Sequence, residues 1–244
     1  MKMEIAMKVI NSELRPIEAI RYTCMYVGNQ PVTCYVIRGK NGDMLIDTGF
    51  CFTYDELMKW LKHYDIKHIF LTHAHVDHDL NAARLKKELG ADIILNQRDL
   101  SLIRHYSRQP VKATKSKYFF RNIQQNVCGP LFRTNPYTPD ILLTSENRNL
   151  LHELGYDADV VFLPGHTLGS TGIISCGVLY CGDAFTAFWG KPEITPHATS
   201  IKLMKRSLET ILKLSPEWIS PGHGLPVRME SAIPVINGYL ADRI

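Results

Sequence analysis

His73-Ala74-His75-Val76-Asp77-His78 follows directly on the run His68-Ile69-Phe70-Leu71-Thr72. Run and cluster together read as a β-strand that ends in a metal-binding loop. Residues two apart on an extended chain point the same way, so His73 and His75 can grip one ion. Asp77 and His78 fall where the chain must turn, and they can face a second ion from another side. Imidazole nitrogen with carboxylate oxygen is the ligand set that borderline divalent metals such as zinc prefer.

Three further segments have the same character. Leu163-Pro164-Gly165-His166-Thr167-Leu168-Gly169-Ser170 sets a histidine between glycines after a strand, and Ser220-Pro221-Gly222-His223-Gly224 repeats the device. Cys181-Gly182-Asp183-Ala184 ends a hairpin on a carboxylate. Each candidate ligand falls at a strand end, where a sheet holds loops in fixed positions. The glycines allow sharp turns and leave room for an ion. Asp47-Thr48-Gly49 ends an earlier strand in the same manner. Its carboxylate is placed to receive an N–H from a ligating histidine and orient the ring. His63, His68, His105, His152 and His197 have no such context, although Thr195-Pro196-His197 lies in a loop leaving the same edge.

The surrounding chain alternates strands and helices. Strands are expected over Ile5–Ile10, Thr33–Arg38 and Met44–Asp47, the last two joined as a hairpin by Gly39-Lys40-Asn41-Gly42-Asp43. A helix follows over Phe52–Tyr64, a strand over Lys67–Thr72, a helix over Leu80–Leu89 stopped by Gly90, and a strand over Ala91–Leu95. The second half reads as strands Ile141–Thr144, Leu150–Glu153, Val160–Leu163, Thr171–Ser175 and Val178–Cys181. Helix Ser200–Leu214, strand Trp218–Ser220 and helix Glu230–Leu240 close the chain. This pattern is α/β, with a pseudo-symmetric pair of sheets packed face to face.

Composition bounds the function. The chain has 244 residues, 45% hydrophobic and 21% charged, with a formal charge of +4, too mild to argue for nucleic acid. No apolar run reaches the roughly 20 residues of a membrane span. The opening residues lack the continuous apolar stretch of a signal peptide, so a reducing cytoplasm is expected. Six scattered cysteines without a Cys-x-x-Cys pair read as buried free thiols. Cys181, two residues before Asp183, reads as a strand position rather than a ligand. Between Asp99 and Asp140 there is no acidic residue, while Arg104, Arg108, Lys112, Lys115, Lys117, Arg121 and Arg133 accumulate. This stretch, around 100–140, is expected to be a basic insertion or lid in a single domain spanning 1–244. Its charge suits an anionic small-molecule substrate, a solvated face or a subunit contact. Phe185, Phe188 and Trp189 either line an apolar pocket or fill core.

The motifs, in this order, resemble the metallo-β-lactamase superfamily over essentially the whole length. The family pattern His-x-His-x-Asp-His, then His, Asp and His, falls on His73, His75, Asp77, His78, His166, Asp183 and His223, and its early Asp-Thr-Gly on Asp47-Thr48-Gly49. The resemblance implies a four-layer αβ/βα sandwich: two packed mixed β-sheets flanked by helices. It implies a dinuclear site, with His73, His75 and His166 on one ion, Asp77, His78 and His223 on the other, and Asp183 between them. Asp77 and Asp183 are then catalytic carboxylates as well as ligands. The ions are expected to be zinc, with iron or manganese as alternatives.

Departures from subfamilies narrow the reading. Flavodiiron proteins carry Glu at the position of His75, and one zinc β-lactamase class carries Cys at that of Asp183. Quorum-quenching lactonases use a Tyr where this chain has Thr186. Glyoxalase II enzymes end in a basic glutathione-binding region, whereas Leu225–Ile244 holds only Arg228 and Arg243. The resemblance implies a hydrolase that uses a bridging hydroxide on an ester, thioester or lactone, glyoxalase II-like or lactonase-like. The alternatives are a phosphodiesterase or nuclease of the same fold and an iron-dependent oxidoreductase such as a persulfide dioxygenase. A homodimer is compatible with all of them.

Overall fold

In the computed structural model, alternate residues of each central strand enter different cores, and this separates the molecule into layers. The structure describes residues 18–24, 30–50, 54–103, 105, 109–128 and 136–242. The expected strand Ile5–Ile10 therefore lies outside the described residues, as do Arg104, Arg108 and Arg133.

The first sheet contains β1 (Glu18–Cys24), β2 (Gln30–Ile37), β3 (Asp43–Ile46), β4 (Ile66–Phe70), β5 (Asp92–Asn96) and β7 (Ile141–Leu143), in that spatial order. Its first three strands pair antiparallel and the rest parallel. The second sheet has the order β13 (Val227–Arg228), β12 (Trp218–Pro221), β10 (Val178–Gly182), β9 (Thr171–Ser175), β8 (Asp159–Phe162). Only its β10–β12 pair is parallel.

Period-two alternation sorts the side chains. Tyr35, Met44, Ile46, Phe70 and Ile94 from the first sheet meet Val160, Ile173, Val178 and Tyr180 from the second in a core between the sheets. Their neighbours Cys34, Leu45, Ile69 and Ile93 turn outward and pack with Leu57 and Leu85. Those two belong to helices α1 (Tyr54–Leu61) and α3 (Ala82–Leu89). On the far side Leu179, Cys181 and Ile219 pack with Met204, Leu208, Ile211 and Ile236. The last four lie on α6 (Ile201–Leu214) and α7 (Met229–Ala241). Three cores between four layers is the expected αβ/βα sandwich. Cys181 faces this outer core, consistent with its reading as a strand residue. Of the other thiols whose side chains are described, Cys34 is buried and Cys176 is exposed, which corrects the expectation of burial for Cys176; the side chains of Cys24, Cys51 and Cys128 lie outside the described residues.

The sheets are tied together at the end where the candidate ligands lie. Thr33 N donates to Gly222 O at 2.8 Å, Tyr35 Oη to Pro221 O at 2.8 Å, and Thr171 N to Thr72 O at 2.9 Å. Each bond crosses from one sheet to the other or to a loop beyond it, so the two ligand-bearing edges cannot drift apart without breaking buried hydrogen bonds.

Two expectations of secondary structure are corrected. Leu150–Glu153 is a short helix, α5, not a strand. Its Leu154 N–H bonds back to Leu150 O, and Gly155 follows at φ 95° as a helix stop. Short apolar runs carry no period that separates the two cases. The loop expected at the histidine cluster contains one helical turn, α2 (Val76–Asp79), closed by His78 N and Asp79 N on His75 O. Between residues 109 and 128 the chain forms β6 (Lys112–Ala113) and α4 (Phe119–Cys128), and β6 pairs with β11 (His197–Ala198).

Leu208, on α6, is fully buried in the outer core. Leu208→Ala should cost about 2–5 kcal/mol in urea unfolding while leaving metal affinity unchanged. A loss below about 1 kcal/mol would contradict the packing described here.

Candidate metal centre

All seven sequence-predicted ligands come together at one edge of the sandwich. His73 and His75 leave β4, with Asp77 and His78 on α2. His166 stands in the β8–β9 loop, Asp183 just beyond β10, and His223 beyond β12. Their donor atoms form three groups, each mutually within 4.8 Å: His73, His75 and His166; His73, His78 and Asp183; Asp77, His78 and His223.

Geometry within the groups is tight. His73 Nε2 lies 3.1 Å and His166 Nε2 3.0 Å from His75 Nδ1. His223 Nε2 stands 3.1 Å from Asp77 Oδ2. Asp183 sits between the sets, with Oδ2 at 3.5 Å from His166 Nε2 and 3.3 Å from His223 Nε2, and Oδ1 at 3.5 Å from His78 Nε2.

Two of these buried atoms, His78 Nε2 and Asp183 Oδ1, have no hydrogen-bond partner. Orphaned buried polar atoms are costly, and a shared cation would satisfy both. The space for it is kept by Gly222, where a Cβ would stand 2.6 Å from His78 Cε1 and 2.8 Å from Asp183 Oδ1. The residues therefore fit divalent metal.

Ring orientation is set from behind. Asp47 Oδ2 accepts from His78 Nδ1 at 2.7 Å and from Thr72 Oγ1 at 2.8 Å, and its Oδ1 accepts from Thr72 N at 2.8 Å. Thr72 Oγ1, its proton committed to Asp47, accepts from His73 Nδ1 at 3.1 Å. One carboxylate thus fixes the tautomer of His78 directly and of His73 through a hydroxyl, leaving both Nε2 lone pairs toward the site. Asp47 holds this position with φ 57°, a left-handed backbone that is uncommon outside glycine. His166 Nδ1 donates to the carbonyl of His197 at 2.8 Å.

Sequence reasoning missed four supports. Thr72 closes the relay to His73. Asn81 ties Thr48, Gly49 and Phe50 through carbonyl bonds of 2.8–3.3 Å. His197 acts through its backbone, and Asp99 is buried under two ligand loops. No motif marks them, since most partners are distant in sequence; the position of Thr72 beside His73 and the place of Thr195-Pro196-His197 in a loop leaving the metal edge were the signals.

A family model described as the metallo-beta-lactamase superfamily matches residues 27–223. The chain belongs to the metallo-β-lactamase superfamily. It is 28% identical over 200 residues to a probable metallo-hydrolase of Methanocaldococcus jannaschii, covering 78% of this chain and 86% of that protein. A metallo-beta-lactamase structure from Pontibacter korlensis has a TM-score of 0.66 at 16% identity, covering 99% of this chain and 100% of that one. A B3 metallo-beta-lactamase, BLEG-1, gives 0.64 at 21%, covering 92% and 100%. A protein crystallised in a di-iron-bound form gives 0.63 at 23%, covering 88% and 97%. At these identities the structural likenesses establish the shared metallo-β-lactamase fold.

Electrostatics divide the site of this family member. Burial lowers the pKa of His73 well below the usual imidazole range and that of His75 to about 3, so both stay neutral donors. Burial also opposes charge on His78, but Asp47, Asp77 and Asp183 outweigh it and raise its pKa to about 9. His223 is likewise raised, burial being overcome by Asp183 and Asp77. The carboxylate-rich half thus holds protons that a cation must displace.

With its folded pKa at about 9, His78 is protonated at pH 7 until an ion binds. Ion uptake should therefore release at least about one proton per chain, and affinity should rise as pH climbs from about 6.5 to 9. Calorimetry in buffers of different ionisation enthalpy reads this release. A buffer-independent heat at pH 7 would refute the assignment.

Proposed function

We propose that this protein is a dinuclear, zinc-dependent hydrolase that cleaves an ester, thioester or lactone in a small-molecule substrate. The observation that carries the reading is the placement of Asp183, with one oxygen toward His78 and the other toward His166 and His223. A carboxylate so placed can serve two ions at once. The relationship to a probable metallo-hydrolase supports hydrolysis. The relative crystallised in a di-iron-bound form supports a two-metal site and keeps iron as the alternative metal.

In this reading His73, His75 and His166 hold one ion and Asp77, His78 and His223 the other. Bound divalent ions supply Lewis acidity and a water whose pKa is lowered to about 7. The protein contributes five neutral imidazoles and only two carboxylates, so the loaded site keeps a net positive field toward an oxyanion developing on the substrate. Asp47, Thr72 and the His197 carbonyl keep the imidazoles aimed without reorganisation during turnover.

The mouth favours an acyl group over a phosphodiester. Phe188 lies with its ring centroid 5.9 Å from that of His223, and Trp189 beside it is 64% exposed. Leu168, two residues after His166, is 37% exposed. Lys117, which the sequence offered as an attractor for anions, is paired with Glu193 on the hairpin that follows Asp183. The buried thiols Cys34 and Cys181 suit a reducing compartment, which we take to be the cytoplasm.

Proton release in a pH-stat, with zinc-loaded protein and a panel of thioesters, lactones, carboxylic esters and phosphodiesters, tests the reading. Turnover of an acyl substrate is expected, with Asp183→Ala at least about a hundredfold slower and still folded. Turnover of phosphodiesters alone, or an unimpaired Asp183→Ala, would contradict it.

A further inference from the structure

Asp99 occupies the turn after β5 and is fully buried. Its Oδ2 accepts from Thr167 Oγ1 at 2.7 Å and from Ala74 N at 3.3 Å. Its Oδ1 accepts from Gly169 N at 2.8 Å and from Gln109 Nε2 at 3.4 Å. Ala74 lies between His73 and His75, and Thr167 follows His166. The loops that Asp99 joins therefore carry the three members of one ligand group, one loop leaving the first sheet and the other belonging to the second.

We propose that Asp99 is a positioning residue: it fixes the separation of the His73–His75 loop from the His166 loop, and so sets the affinity and ligand field of the ion these three histidines hold. The inference rests on the metal-binding reading above and adds to it a control that Asp47 does not supply. Asp47 fixes ring tautomers on His73 and His78, whereas Asp99 fixes the relative position of two backbones.

Neighbouring residues are shaped to this carboxylate. A Cβ on Gly169 would stand 2.6 Å from Asp99 Cγ and Oδ1, so glycine is required for the loop to close over it. Gln109 braces the other side, its Oε1 accepting from Leu168 N at 2.8 Å while its Nε2 donates to Asp99. Thr167 N donates to Ser170 Oγ at 2.9 Å, which holds the loop in the form that presents its hydroxyl. A buried carboxylate is costly unless donors surround it, and here the donors come from both ligand loops and their brace.

Asp99→Asn keeps the shape but turns an NH2 toward donors. In competition with a chromophoric chelator, wild-type protein should bind zinc in two steps. Asp99→Asn should weaken one step by about 10–100-fold, leave the other at the wild-type value, and shift the visible spectrum of the cobalt-substituted protein. Gln109→Ala should produce a smaller change of the same sign in the same step, which keeps the test open if Asp99→Asn fails to fold. A fall in thermal stability with both steps and the cobalt spectrum unchanged would reduce Asp99 to a clasp of the fold and overturn the proposal. An unchanged Gln109→Ala would do the same where Asp99→Asn does not fold. Wild-type protein that binds no metal would instead defeat the underlying reading, and the proposal with it.

Discussion

One buried carboxylate, Asp47, governs the two ends of the ligand cluster. It accepts a hydrogen bond from His78 directly and one from Thr72, whose hydroxyl accepts in turn from His73, so the rings must present Nε2 to the centre. Without it, two adjacent imidazoles could each choose a tautomer or rotate, and the donor groups would lose their shared focus. The arrangement exists only because β3 and β4 run parallel, which brings their ends side by side: Asp47 N bonds to Phe70 O at 2.9 Å. Sheet pairing therefore precedes the site in cause, and the left-handed backbone of Asp47 is the local strain that the centre retains.

The second sheet completes what the first begins. His166, Asp183 and His223 all stand beyond strand ends of that sheet, and cross-sheet bonds at Thr33, Tyr35 and Thr171 hold the two edges in register. Charge then separates the halves: His73 and His75 are kept neutral by burial, while the carboxylates around His78 and His223 hold protons there. A cation entering the carboxylate-rich half replaces protons, and one entering the imidazole half meets ready lone pairs.

Much of this was legible in the sequence for a physical reason. Ligands at strand ends need glycine and proline around them, and that punctuation marks His166 and His223 as clearly as the spacing marks His73 to His78. The period-two alternation of Val178–Cys181 likewise placed Cys181 in a core and Asp183 beyond it. Other parts were not legible. Leu150–Glu153 is too short to show a period, and β6 and β11 are two-residue pairings that exist only in each other's presence. Asp99 and Asn81 act on partners 10 to 70 residues away, so nothing local sets them apart from surface polar residues.

The central claim is that seven side chains form two adjoining cation sites spanned by Asp183. Anomalous diffraction at the zinc edge, on crystals of zinc-loaded protein, measures it most directly. The account predicts two peaks per chain: one enclosed by His73, His75 and His166, the other by Asp77, His78 and His223, with Asp183 contacting both. A single peak at saturating zinc, or ions bound away from Asp183, would contradict it.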